Sequence, residues 1–229
     1  MIEISEELAK ERIAKRIARE LHAEGQILFI NTGVGIPSMV TNYLHDDEII
    51  VQAENGILGV GMLAKGEQID PQLINASRQP VVEKVGCSYF DSAASFGMIR
   101  GGHIDVTILG AFEVDQKGNI ANWIIPNGKQ LGVGGAMDLV AGAKKVIVAM
   151  QHTNKKKQSK IKKECALPVT GYGEVDILVT EYAVFTFKNG KMILTEIAPE
   201  INLNELQTIT EAQYDISPDL NNMEKMNLA

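Results

Sequence analysis

The chain has 229 residues, enough for one large domain with a substantial core, and its 45% apolar and 22% charged content is that of an ordinary globular protein. A net charge of −7 (22 basic against 29 acidic residues) argues against a broad nucleic-acid footprint. The cysteines Cys87 and Cys165 form no C-x-x-C, the histidines show no ligand spacing, the acidic start lacks a signal-peptide core, and no apolar run reaches the ~18 residues of a membrane span. A cytoplasmic, thiol-reduced protein is therefore expected, with no resident metal and no membrane association.

In chain order, Ser5 followed by Glu6 and Glu7 predicts a capped helix. Its apolar stripe is Leu8, Ile13, Ile17 and Leu21, and Gly25 closes it. Residues 26–31 read as a buried strand and Thr32–Pro37 as a glycine-containing loop. Pro37 then opens a helix to about Leu44. Asp46-Asp47 makes a turn into a strand over 48–53. Strand, loop, helix, strand is a βαβ unit, whose two strands run parallel. Ligands in such sheets bind beyond the carboxyl ends of the strands, where both the Gly33/Gly35 loop and Glu54 fall.

Further along, Ser92–Arg100 reads as a helix ended by Gly101-Gly102, and 104–109 as a strand. Residues 112–123 form a hairpin turning at 116–119. A short helix over 139–143 precedes a strand at 145–150. Tyr182 to Thr195 is a hairpin about Asn189-Gly190. Asn202 or Asn204 caps a last helix around 203–212. The expectation is one α/β domain over residues 1–217, with a polar and mobile C-terminal tail at 218–229.

Two segments carry candidate chemistry. In the first, Ile49-Ile50-Val51 runs into Glu54, then Asn55-Gly56, with Gly59 and Gly61 beyond. An acid on a strand end beside bare backbone suits a nucleophile, although Asn-Gly after a strand is equally a hairpin signal. In the second, Gly132-Val-Gly-Gly-Ala-Met-Asp138 sets glycine N–H groups before a helix, where they can hold an anion or simply make a turn. Neither it nor the Gly33-Val-Gly35 loop is a dinucleotide fingerprint. Together they form a set: a carboxylate attacking an acyl carbon needs donors for the developing oxyanion, and glycine backbone leaves that approach open. No G-x-S-x-G elbow or Cys/His triad competes.

These residues bear a resemblance. Gln52-Ala-Glu-Asn-Gly-Ile-Leu-Gly is similar to the (S/A)-E-N-G-(I/L)-L-G motif of the B subunits of 3-oxoacid coenzyme A transferases. The likeness extends through Asn31-Thr-Gly-Val-Gly-Ile-Pro, Asp70-Pro-Gln-Leu-Ile-Asn-Ala and Ser95-Phe-Gly-Met-Ile-Arg-Gly-Gly-His. It continues in Ala121-Asn-Trp-Ile-Ile-Pro, the Gly132–Val140 segment and Cys165-Ala-Leu-Pro-Val-Thr-Gly.

The resemblance implies a mostly parallel open sheet with helices on both faces and added antiparallel hairpins. It implies that Glu54 is the nucleophile forming an acyl anhydride and then a glutamyl-CoA thioester. Gly135 would be an oxyanion donor, with Gly134 beside it. Coenzyme A would be substrate rather than resident cofactor, and a companion A subunit would complete the site in a hetero-oligomer. Gly33, Gly35, Asn55, Gly56 and Arg100 are further candidates for substrate or CoA binding. A hydrolase using the same glutamate and a sugar-phosphate-binding domain are the alternatives. The Lys155–Lys163 cluster reads as a solvated loop or a phosphate contact, and Trp123 as a packing residue. Ala53, where relatives often have Ser, and Met62–Lys65, where they are Pro-rich, depart from the pattern.

Overall fold

The computed structural model describes residues 4–44, 48–125, 129–130 and 132–224. Ser5 caps helix α1 (Glu6–His22), its side chain accepting from the Leu8 N–H at 3.3 Å. Ala9, Ile13, Ile17 and Leu21 form the buried stripe, and burying each isoleucine contributes roughly 1.5–3 kcal/mol. The helix stops at His22, and Gly25 (φ 61°) turns the chain toward the sheet.

Ten strands form the main sheet: β1 (Leu28–Thr32), β2 (Ile49–Ala53), β3 (Ile57–Leu63), β4 (Val81–Tyr89), β5 (Val106–Leu109), β6 (Lys145–Ala149), β7 (Ile177–Val179), β8 (Ala183–Lys188), β9 (Lys191–Ile197) and β10 (Asp215–Asn222). Across the sheet they run β10-β9-β8-β7-β6-β5-β1-β2-β3-β4. The centre, from β2 through β1, β5 and β6 to β7, is parallel. The hairpins β2–β3–β4 and β7–β8–β9 are antiparallel, and β10 returns parallel to β9.

The step from β1 to β2 moves one way across the sheet and that from β5 to β6 moves the other. Right-handed crossovers therefore set their helices on opposite faces. Accordingly α1 packs with α2 (Ile36–Met39) and the 3₁₀ turn Val40–Tyr43, whereas α3 (Ser92–Arg100) packs with α4 (Ala136–Gly142). The point where the direction reverses, between β1 and β5, opens at the carboxyl ends of the strands. A last helix, α5 (Leu203–Ile209), carries a reciprocal cap between Asn202 and Glu205.

Three strands depart from the sequence reading. Residues 57–63 and 81–89 pair as β3 and β4, and Gly61 serves that pairing: a Cβ there would lie 2.7 Å from the Val82 carbonyl. The expected tail is, through Asn222, the edge strand β10. Pro218 falls where its register against β9 breaks, the position an edge strand tolerates. Residues 225–229 of that tail and the Asp46-Asp47 turn lie outside the described residues. No helix among the described residues is long and apolar enough to cross a membrane.

Candidate functional site

Glu54 follows β2 at the carboxyl end of the parallel core. The turn is a three-residue hairpin loop: Ala53 pairs with Ile57, and the Gly56 N–H donates to the Ala53 carbonyl at 3.0 Å. Gly56 adopts φ 123° and lies so near the Phe90 carbonyl that a Cβ would sit 2.1 Å from it. Asn55-Gly56 is thus a hairpin turn, and it holds the Glu54 carboxylate at the end of β2.

Glu54 is half-buried, and its Oε2 accepts from Asn31 Nδ2 at 3.1 Å. Asn31 and Gln52 are both buried and stand in register on β1 and β2. Asn31 Nδ2 also lies 3.0 Å from Gln52 Oε1, and Gln52 Nε2 donates to the Ser95 hydroxyl of α3 at 3.1 Å. A carboxylate oxygen only accepts, so Asn31 must turn its nitrogen toward Glu54. Its Oδ1 is buried with no partner among the described residues, a group that costs about 1–3 kcal/mol to leave unsatisfied. Among the described residues no lysine or arginine pairs with Glu54.

Gly135, the cap of α4, stands on the other side of the carboxylate. A Cβ added there would be 3.5 Å from Glu54 Cγ and 3.3 Å from the Phe96 ring, so a side chain would fill the gap between them and press on the ring. Gly134 precedes it with φ 52°. The two segments singled out in the sequence therefore meet, although 81 positions separate Glu54 from Gly135.

The other candidates separate from the carboxylate to different degrees. Asn55 binds the Ile74 carbonyl at 2.8 Å through its Nδ2 and so anchors the neighbouring loop, while Asn31 binds Glu54. The Gly33 N–H already donates to the Ile108 carbonyl at 2.8 Å, and Gly35 is exposed as the cap of α2. Arg100 pairs with Asp138 at 2.7 Å and lies over Phe96, tying α3 to the first turn of α4. Within the basic cluster, Lys155–Lys157 are exposed and Lys162 pairs with Glu211. Trp123 is half-buried, its indole nitrogen buried and without a partner among the described residues.

The remaining nucleophiles are poorly placed. Burial and the nearby Asp115 and Glu113 push the Cys165 thiol up to about 12, and burial raises Cys87 as well. His152 is fully buried, its ring bonded to the hydroxyls of Thr180 and Thr210 at 3.0 and 2.9 Å. No group of three or more His, Cys, Asp or Glu among the described residues can hold a metal. Asn31, Gln52, Ser95 and Phe96 were not marked for any role by spacing. Only the cross-strand register and the α3 contact bring them to Glu54.

The chain is 48% identical over 207 residues to the B subunit of the succinyl-CoA:3-ketoacid coenzyme A transferase of Helicobacter pylori, covering 90% of this chain and 99% of that one. It is 48% identical over 214 residues to the beta subunit of the acetate CoA-transferase of Escherichia coli, covering 93% and 96%. Among solved structures, the acyl-CoA transferase YdiF of Escherichia coli O157:H7, in a thioester complex with CoA, superposes with a TM-score of 0.75 at 26% identity. This chain is covered over 94% of its length in that match and spans 43% of the YdiF chain. The model of the coenzyme A transferase family matches residues 10–208, and the chain belongs to that family.

Proposed function

We propose that the chain is the B component of a cytoplasmic, heteromeric CoA transferase and that Glu54 is its nucleophile. A Glu54 oxygen attacks the acyl-CoA carbonyl carbon and the C–S bond breaks, giving an acyl-glutamyl anhydride and CoA thiolate. The thiolate attacks the glutamyl carbonyl carbon of the anhydride. Its C–O bond breaks, the first carboxylate leaves, and Glu54 carries CoA as a thioester. An acceptor carboxylate runs the same two steps in reverse and departs as its CoA ester. No proton has to be removed from the nucleophile, which fits a site where neither a histidine nor a lysine among the described residues contacts Glu54.

The observation that carries this reading is the seating of Glu54 between the Asn31 amide and the bare Gly135 backbone. In the tetrahedral intermediates the Gly135 N–H would face the developing oxyanion, worth roughly 10²–10³ in rate for a donor of this kind. A companion A subunit supplying the other donors is supported by the names of the relatives, which are themselves subunits, and by the greater length of the YdiF chain.

The test combines the chain and its A subunit with acyl-CoA in the absence of acceptor. Hydroxylamine or borohydride should modify the peptide bearing Glu54, and Glu54→Ala should abolish both the modification and turnover. A fully active Glu54→Ala complex would eliminate the mechanism.

A further inference from the structure

Helix α4 begins at the Gly135 cap, and the two ends of this short helix are held in different ways. At its last residue, Gly142 is seated so closely on α3 that a Cβ there would lie 2.3 Å from the Ile99 carbonyl oxygen. The start has no such seat. Gly132 (φ 86°) and Gly134 (φ 52°) lead into it through open space, with nothing within 4 Å of where a side chain would begin. What meets the first turn is a pair of side chains from α3. The Phe96 ring lies against Gly135, and the Arg100 guanidinium lies over that ring, 5.7 Å from its centroid. From there Arg100 Nε donates to Oδ1 of Asp138, in the first turn of α4, at 2.7 Å.

On the reading of Glu54 and Gly135 given above, we propose that Arg100 is a positioning residue: its bond to Asp138, made across the Phe96 ring, fixes the gap between the Gly135 N–H and the Glu54 carboxylate. Helix α3 is the common support of both groups. Earlier on the same helix, Ser95 holds Gln52 and through it Asn31 and Glu54, so nucleophile and donor are referred to one rigid element. The Gly135 N–H donates to no group among the described residues, and its position alone decides what it meets. An oxyanion donor acts over a narrow range, about 2.7–3.1 Å from the oxygen it serves. A first turn free to drift by about 1 Å would leave that range.

The Arg100–Asp138 pair is too exposed to hold the fold together. Arg100 keeps 67% of its side-chain surface and Asp138 26%, and exposed ion pairs of this kind add little to stability. Loss of the pair is therefore felt in the rate and hardly in the melting temperature. A rate effect also separates positioning from substrate binding. Removing a cation that binds substrate raises the half-saturating concentration, whereas loosening a donor lowers the maximal rate.

The experiment uses this chain with saturating A subunit and follows, in a single turnover, the labelling of Glu54 at increasing acyl-CoA concentration. Arg100→Met and Asp138→Ala should each lower the maximal labelling rate about 10-fold. Half-saturating acyl-CoA should change less than about twofold, and Tm should stay within about 2 °C of the parent. Because both substitutions cut the same bond, the double variant should fall no further than about 20-fold, against the ~100-fold of independent losses. A maximal rate within about twofold of the parent, a loss confined to the half-saturating concentration, or a double variant near the ~100-fold product would overturn the clamp and leave the transferase reading intact. A Glu54→Ala complex that still transfers CoA would remove that reading, and the clamp with it.

Discussion

Ser95, Gln52, Asn31 and Glu54 are hydrogen-bonded in series, from a helix through two adjacent strands to the carboxylate. Three of the four are buried, so each amide is held by its neighbours rather than by water. Gln52 touches Asn31 and not the carboxylate's accepting oxygen, which makes it a positioning residue. Gln52→Leu keeps the volume near constant and removes its three side-chain bonds, one to Asn31 and two to Ser95. The expected result is a fall in kcat of roughly 10–100-fold with KM changed less than about threefold, since a misplacement of 1 Å can cost 10²-fold. Steady-state kinetics of the complex, with circular dichroism to confirm folding, checks it, and an unchanged kcat would show that Asn31 needs no support. Glu54 and Gly135 were legible in the sequence because each sits in a local motif. Asn31 and Gln52 were quoted in those motifs without a role, because a contact 21 residues apart depends on strand register, which local pattern does not encode.

At the level of elements, signals with a local physical cause were read correctly. They include the Ser5 cap, the 92–100 helix ended by Gly101-Gly102, the Asn189-Gly190 hairpin and the parallel β1–β2 pair. The missed strands lack such signals. β4 is largely exposed, with Glu83, Lys84 and Gly86 among its residues, and β10 carries Pro218 and little apolar surface. Gly61 of β3, read from the sequence only as bare backbone beyond the acid, permits the close approach of β4. The hairpin turn is where this matters most. Gly56→Ala puts a Cβ 2.1 Å from the Phe90 carbonyl at φ 123°, a strain of about 2–4 kcal/mol. Thermal unfolding followed by circular dichroism should show Tm lowered by at least ~5 °C. A variant melting with the parent would mean that the turn relaxes freely, and that it does not hold Glu54 in place.

For the whole molecule, burial lowers the His152 pKa from 6.5 to about 3. The unfolded chain takes up this proton near 6.5 and the folded chain only near 3, so the unfolded state binds more protons between them. Stability must therefore fall as pH drops through that window, by up to about 1.4 kcal/mol per pH unit from this group alone. Glu181, whose carboxylate accepts the backbone N–H of His152, is raised by burial and opposes the trend just above pH 4.5. Lys160, lowered to about 8 by burial, stays charged in both states throughout the window. Urea unfolding from pH 4.5 to 7.5 should show His152→Gln to be less stable at neutral pH but with a flatter acid slope. Parallel slopes for the two proteins would refute the assignment.

The buried Arg12 of α1 has a temporal consequence. Its two terminal guanidinium nitrogens donate to the Glu181 carbonyl at 2.9 Å and to both oxygens of Glu200 at 2.8 Å, groups 169 and 188 residues further along the chain, while Nε is buried without a partner among the described residues. A ribosome adding roughly 5–20 residues per second needs about 10–40 s to reach them after Arg12 has been made. Throughout that interval the helix that reads most clearly at the start of the sequence has a cation on its inward face and nothing to receive it. Helix α1 therefore cannot complete its docking until the segment carrying Glu181 and Glu200 has been made, so its buried cation delays the closing of that face behind most of the strands it covers.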